Sequence, residues 1–173
     1  TEYSHLTHTQ GWGYLDLSIN GISIGEFGQL AMCASELGVR VIFAAGEEAF
    51  TKEVQALTPG VETVSVKRGT TPGKGDDLNA QQYSRRNLGA IHVSPERARR
   101  MIREGAERAV QRAQKEAFGM IDLKPPFERA ARFRPDGRRS ACGARASLNP
   151  GSGSLANRGA PPGRSTDNES PGV

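Results

Sequence analysis

The sequence predicts an α/β domain, a layered sheet with flanking helices, followed by a disordered C-terminal tail. Short β-branched and aromatic runs alternate with helical patterns, which is typical of layered α/β folds. One long helical pattern has a strong start signal at Ser94. After residue 138, Gly, Pro, Ser and Arg dominate and sizeable aliphatic residues become rare. We therefore place the domain at residues 1–137 and the tail at residues 138–173.

The first predicted elements are a hairpin and a helix. Residues 13–19 alternate in the manner of a strand, Asn20-Gly21 is a tight-turn signal, and residues 22–24 would return from it. A helix then carries an apolar stripe at helical spacing, which is formed by Phe27, Leu30, Ala31, Ala34 and Leu37. Cys33 lies inside this pattern, so we expect it to be buried and not to form a disulfide with Cys142.

The middle of the chain predicts two more strands and two more helices. Residues 39–45 form a β-branched run typical of a buried strand, and acidic residues open a helix over 46–57. A third strand follows at 61–66. Ser94 and Pro95 then start a helix through Ala113 whose small apolar face predicts close packing on a sheet or another subunit. Residues 127–133 suit a further strand.

Composition and charge argue against several functional classes. The net charge is +4, but the basic residues of the domain are interleaved with acids, so we expect no nucleic-acid binding. No apolar run reaches the roughly 18 residues that a membrane span needs, and the start lacks signal-peptide features. We expect a cytoplasmic protein. Because the chain lacks an initiator Met, we expect that it was processed or begins within a longer gene.

Few residues suggest chemistry by themselves. The three histidines are His5, His8 and His92, and none belongs to a metal-binding or hydrolase signature. The Gly-rich segment 69–77 departs from the phosphate-binding pattern because Gly75 follows Lys74. Glu26 lies at the opening turn of the first helix, where the helix dipole stabilises a carboxylate that suits metal ligation. On the residues alone, an ordinary helix-start glutamate is the better explanation, so they indicate no more than an α/β domain with a candidate anionic site.

A longer pattern resembles a known family. It consists of His8-Thr9, Gly11-Trp12, Asn20-Gly21 and Gly25-Glu26-Phe27-Gly28, and it extends through Pro59-Gly60, Ser84 to Asn87 and the helix Pro95–Ala113. This arrangement over residues 4–135 is similar to the C-terminal part of the DppA-type zinc D-aminopeptidases. The resemblance implies a zinc-dependent aminopeptidase that acts on short peptides with an N-terminal D-amino acid and forms homo-oligomers.

The resemblance also implies roles for two residues. In the family, the catalytic histidine precedes a metal-binding glutamate by 18 positions, the interval that separates His8 from Glu26. His8 would then be the catalytic base or nucleophile and Glu26 a zinc ligand. His5 matches no functional position of the family.

The sequence departs from the family at both ends. The remaining zinc ligands of the family, an Asp-x-Glu and two histidines, lie before the catalytic histidine, and this chain has only seven residues before His8. Since catalytic zinc needs about three protein ligands, we expect this chain to be inactive alone. A non-catalytic α/β oligomerisation or interaction domain is the alternative hypothesis. The abrupt change of composition at the tail suggests an out-of-frame translation.

Overall fold

The structure, a computed structural model, describes residues 1–135 and 143–148. In this part of the chain seven strands form two sheets, with strand orders β2-β1-β6-β7 and β3-β4-β5. The α/β class is therefore confirmed, with two small sheets in place of a single layer. In chain order the elements are β1 Tyr14–Ile19, β2 Ile22–Ser23, α1 Glu26–Glu36, β3 Phe43–Glu47, α2 Glu48–Leu57, β4 Glu62–Gly69, α3 Ala80–Ser84, β5 Ala90–His92, α4 Pro95–Ala113, β6 Phe127–Phe133 and β7 Gly143–Leu148.

The four-stranded sheet begins with the predicted hairpin. Asn20 and Gly21 have φ angles of 49° and 79°, the left-handed conformation that a two-residue turn between antiparallel strands requires. β1 pairs antiparallel with β6, so distant parts of the chain meet beside the hairpin. The Asn20 side chain strengthens this junction, because its Oδ1 accepts the Glu128 N–H at 2.7 Å.

The three-stranded sheet lies between two helices. β3 and β4 are parallel, and β5 is antiparallel to β4. Phe43 contacts the position of Gly105 in α4, whereas the adjacent Ala44 packs with the fully buried Val54 of α2. Because successive strand residues point to opposite faces, α4 and α2 cover opposite faces of this sheet. An added Cβ at Gly105 would lie 2.5 Å from Val64 Cγ2, so the small face of α4 packs closely on the sheet as predicted.

The strand expected at residues 39–45 is observed at Phe43–Glu47, so it begins and ends later in the chain than predicted. Val41 donates its N–H to the Gly119 carbonyl at 2.8 Å, so this part of the run pairs with a distant loop and not with the sheet. The strand then continues through Gly46 to Glu47, and the helix starts at Glu48. Glycine suits position 46 because a Cβ there would lie only 2.7 Å from Cδ1 of the Phe50 ring.

The first helix buries a narrower face than its apolar stripe predicts. Gly28, Ala31 and Ser35 are the buried residues of α1, whereas Leu30 and Leu37 are each 74% exposed. The prediction that Cys33 is buried was wrong, because its side chain is exposed. The Cys33 thiol is free. Its position lies off the line of small residues that contacts the rest of the molecule. Cys142 lies outside the described residues.

Six residues of the predicted tail form a strand. Gly143–Leu148 make up β7, which pairs antiparallel with β6 in a continuous register from Phe127↔Leu148 to Arg132↔Gly143. Backbone hydrogen bonds can form such a ladder even where large apolar residues are as few as in this sequence. The rest of the segment 138–173 lies outside the described residues. Within the part that the structure describes, no helix combines the length and apolar character needed to cross a membrane.

Candidate active site

The candidate site is a cavity of about 1210 Å³ between the N-terminal segment, the first turns of α1 and α2, and β4. Both residues that the sequence analysis singled out, His8 and Glu26, line it. Glu53 of α2 and Lys67 of β4 line it as well. These four residues come from separate segments of the chain, so the cavity brings an imidazole, two carboxylates and an ammonium together with the other charged side chains that line it.

Glu26 is held at the start of α1 by the loop that follows His8. The Gln10 N–H donates to Glu26 Oε1 at 2.8 Å, and the Gln10 side chain donates from Nε2 to Gln29 Oε1 at 2.8 Å. Gln10 itself has a φ of 58°, a left-handed conformation that is uncommon for a residue with a side chain. These two hydrogen bonds hold the loop that carries His8 against the first turn of the helix that carries Glu26.

The His8 ring is fixed by a carbonyl and by an aromatic neighbour. Its Nδ1 lies 2.7 Å from the Leu6 carbonyl, and its ring centroid lies 4.9 Å from that of Trp12. A carbonyl only accepts, so Nδ1 carries a proton and donates to it, and in a neutral His8 ring the lone pair would be on Nε2. Trp12 in turn lies 6.3 Å, edge to face, from the buried Tyr83 ring. The imidazole is thus exposed but restrained by these two contacts.

Glu53 supports the residue that precedes Glu26. Its Oε1 accepts the N–H of Gly25 at 3.2 Å, and Gly25 is the N-cap of α1. A Cβ at position 25 would lie 3.0 Å from this oxygen, so a glycine lets the carboxylate approach the backbone. Burial raises the pKa of the Glu53 carboxyl, the Gly25 hydrogen bond opposes that rise, and the nearby Glu47 carboxylate adds to it.

A second group of polar side chains lies where the N-terminal segment crosses the ends of β3 and β4. Lys67 Nζ lies 3.2 Å from His5 Nδ1. The His5 N–H donates to the Glu47 carboxylate, and the His5 ring lies 5.6 Å, edge to face, from the His92 ring. An ammonium can only donate, so His5 Nδ1 is the acceptor in this contact.

The described residues do not complete a metal centre by themselves. Residues 1–135 hold no group of three or more His, Cys, Asp or Glu side chains arranged to bind a metal ion. Glu26 is the one predicted ligand in the cavity, and one of its oxygens already accepts the Gln10 N–H. A catalytic zinc needs about three protein ligands. The donor set of this cavity therefore does not fit such a zinc without further ligands.

The sequence predicted part of this arrangement. The structure brings His8 and Glu26 to one cavity, while their catalytic and metal-binding roles remain predictions. It also brings His5, which lines the same cavity, into contact with His92, a pairing that the sequence analysis did not address. Sequence analysis missed Glu53 and Lys67, because their partners Gly25 and His5 are 28 and 62 residues away and no local pattern marks such contacts.

Comparisons with known proteins agree with the fold. The chain is similar in structure to the "Zn-dependent D-aminopeptidase DppA from Bacillus subtilis, a self-compartmentalizing protease", with a TM-score of 0.61 and 22% sequence identity. The match covers 77% of this chain and 42% of that protein, so this chain spans less than half the length of the solved relative. No curated protein matches the chain. The D-aminopeptidase family model matches residues 1–151, and the chain therefore belongs to the D-aminopeptidase family of peptidases.

Proposed function

We propose that this chain contributes to a zinc-dependent aminopeptidase that hydrolyses short peptides with an N-terminal D-amino acid. The observation that carries the proposal is the shared cavity of His8 and Glu26, which are joined through the Gln10 hydrogen bond. The family membership supports the reaction class. The similar Bacillus subtilis protein is a Zn-dependent D-aminopeptidase, which supports both zinc dependence and D-specificity.

In this proposal His8 is the group that transfers protons. Among the described residues, the His8 ring contacts the Leu6 carbonyl through Nδ1 and packs against the Trp12 ring, and its Nε2 makes no hydrogen bond. A neutral imidazole with this tautomer accepts a proton from an attacking water and returns it to the leaving amine. Glu26 is the one described residue that we propose as a zinc ligand. The described donor set does not hold a zinc ion by itself.

We further propose that the 173-residue chain is inactive by itself and that the complete enzyme is a cytoplasmic homo-oligomer. The inactivity follows from the single candidate ligand in the cavity. The homo-oligomer is supported by the description of the Bacillus subtilis relative as self-compartmentalizing.

The test combines zinc analysis with a peptidase assay. We expect the purified 173-residue chain to contain far less than one zinc per chain and to release no D-Ala from D-Ala-D-Ala. The protein encoded by the whole gene region, expressed with any in-frame flanking sequence, should contain zinc and prefer D-Ala-D-Ala to L-Ala-L-Ala. In that protein, His8→Ala should abolish turnover with zinc retained, whereas Glu26→Ala should lower the zinc content.

Two results would count against the proposal. Stoichiometric zinc with hydrolysis in the 173-residue chain would refute its inactivity. No hydrolysis of D-peptides by a zinc-loaded complete protein would refute the activity itself. The second outcome would favour the alternative, a non-catalytic oligomerisation domain, which the exposed Leu30 and Leu37 of α1 also support.

A further inference from the structure

Four cationic side chains among the described residues line the cavity, and three of them have an evident partner. Lys52 forms an ion pair with Glu48 at 2.5 Å. Arg68 also interacts electrostatically with Glu48: the pKa of that carboxyl is lowered by Lys52 and, to a smaller extent, by Arg68. Arg134 donates to two backbone carbonyls and stacks on the Tyr83 ring. The fourth cation is Lys67.

The Lys67 ammonium has no carboxylate partner in the described part of the chain. It lies 3.2 Å from His5 Nδ1, which accepts its hydrogen bond. Glu47 is its register neighbour on β3, but that carboxylate accepts the His5 N–H and makes no ion pair with Lys67. One of the three ammonium donors is therefore used, and two remain for a ligand.

The position of Lys67 also restricts the kind of ligand. Its side chain is half-buried, so its charge is only partly solvated and an incoming anion would be bound more favourably than at an exposed lysine. The cavity that it lines extends to His8 and Glu26, and its volume of about 1210 Å³ is large enough for a dipeptide. An anion at Lys67 would thus belong to the same ligand that reaches the candidate catalytic residues.

We propose that Lys67, oriented by His5, binds the C-terminal carboxylate of a short peptide whose other end lies towards His8 and Glu26. This inference rests on the proposed function, because it takes a peptide as the ligand of the cavity. It adds a selection rule: peptides short enough to place a free carboxylate at Lys67 bind better than amidated peptides. Lys67 and His5 would then set the preferred peptide length.

A binding experiment that needs no catalysis tests this subsite. The 173-residue chain is titrated with D-Ala-D-Ala and with D-Ala-D-Ala amide, and the ring signals of His5 and His8 are followed by NMR. We expect the free acid to bind more tightly than the amide. We expect Lys67→Met to weaken binding of the acid about tenfold or more and to leave binding of the amide unchanged. Lys67→Arg should keep most of the preference for the acid.

The matched control is Lys52→Met, which removes a lysine of the same cavity whose charge is already paired with Glu48. It should leave both affinities unchanged, and the backbone NMR spectrum of each variant shows whether it is folded. Equal binding of acid and amide, no detectable binding of the acid, or an equal loss of both in Lys67→Met would overturn the subsite. A chain that prefers the acid while the complete protein hydrolyses no D-peptide would refute the proposed function and retain the subsite.

Discussion

The backbone N–H of Gln10 donates to Oε1 of Glu26 at 2.8 Å, and this hydrogen bond joins the loop of His8 to the helix of Glu26. His8 and Gln10 are both exposed, so burial contributes little to holding this loop in place. Gln10 also maintains a left-handed backbone conformation with a φ of 58°, which the bond to Glu26 helps to stabilise. Glu26 is therefore a structural anchor of the cavity as well as a candidate ligand.

Removing the acceptor at Glu26 should loosen this loop. In Glu26→Ala we expect lower fluorescence anisotropy of Trp12, the single tryptophan of the chain, and a loss of about 0.5–1.5 kcal/mol in the free energy of unfolding. Glu26→Gln keeps an acceptor oxygen and should retain most of the anisotropy. If the Gln and Ala variants lose the same anisotropy, the charge at the helix start and not the hydrogen bond orders the loop.

Local signals were sufficient for several elements of the fold. The helix predicted from Ser94 and Pro95 spans Pro95–Ala113, and Ser94 Oγ accepts the Arg97 N–H at 3.3 Å as an N-cap should. The Asn20-Gly21 turn and the strand Phe127–Phe133 are also confirmed. In each case the deciding interaction or backbone preference lies within a few residues, which is the range that a sequence pattern reports.

Elements that depend on distant contacts could not be predicted in the same way. Val41 was expected in a sheet strand, but its N–H pairs with Gly119, which is far along the chain. Cys33 fits an apolar helix pattern, but only the tertiary packing decides that Ala31 and Ser35 are the buried residues. The same limitation explains the cavity: the spacing of His8 and Glu26 suggested a site, whereas Glu53 and Lys67 reach it through long-range contacts.

The crossing of the N-terminal segment over β4 depends on Gly69. A Cβ at this position would lie 2.6 Å from the carbonyl carbon of Ser4 and from the Tyr3 oxygen, both of which are backbone atoms. In Gly69→Ala the segment must move, so we expect a loss of about 1–3 kcal/mol in a urea titration. The Lys67–His5 contact should be lost with it, as a change in the His5 ring signals.

Gly13→Ala is the control for this substitution, because a Cβ at position 13 meets nothing within 4 Å. It should leave both the urea midpoint and the His5 signals nearly unchanged. An equal loss in the two variants would show that close packing at Gly69 does not hold the segment in place.

The pH dependence of stability should reveal the cost of ionising Glu53. Burial raises the pKa of this carboxyl above its ordinary value of 4.5, so the folded state favours the protonated form. The stabilisation that comes from the higher proton affinity of Glu53 in the folded state is fully present below the pKa that this carboxyl has in the unfolded chain. It is lost as the pH rises through the pKa that the carboxyl has in the folded protein. Glu53→Gln is uncharged at every pH. We therefore expect its urea midpoint to exceed that of the wild type at about pH 7 and to equal it at about pH 4.

Glu48→Gln should show the opposite trend. The Lys52 hydrogen bond lowers the pKa of the Glu48 carboxyl, so its contribution is present at neutral pH and is lost as the pH falls through the folded pKa. The Gln variant should therefore be slightly less stable than the wild type at about pH 7 and equal at low pH. The same pH trend in both variants would contradict the assignment of the Glu53 shift to burial.

Arg134 follows β6 and packs on Tyr83, whose ring contacts Trp12 beside His8. We expect that lysine cannot substitute for this arginine. Its guanidinium lies 3.5 Å from the Tyr83 ring centroid, and its Nη1 donates to the Gly75 and Leu78 carbonyls at 2.6 Å and 3.2 Å. A lysine ammonium is a point charge on a flexible stem and cannot stack flat on a ring while it donates in two directions. We expect Arg134→Lys to lower the free energy of unfolding by about 1–3 kcal/mol. Since Tyr83 contacts Trp12, the Trp12 emission should change as well.

Arg85→Lys provides the comparison, because Arg85 is exposed and its side chain has no recorded partner in the described part of the chain. That variant should match the wild type in urea titration and in Trp12 emission. If Arg134→Lys also matched the wild type, the buried arginine would contribute only a charge, which lysine supplies equally. A loss confined to Arg134→Lys would show that the planar stack and the two carbonyl bonds support the aromatic contact on which His8 rests.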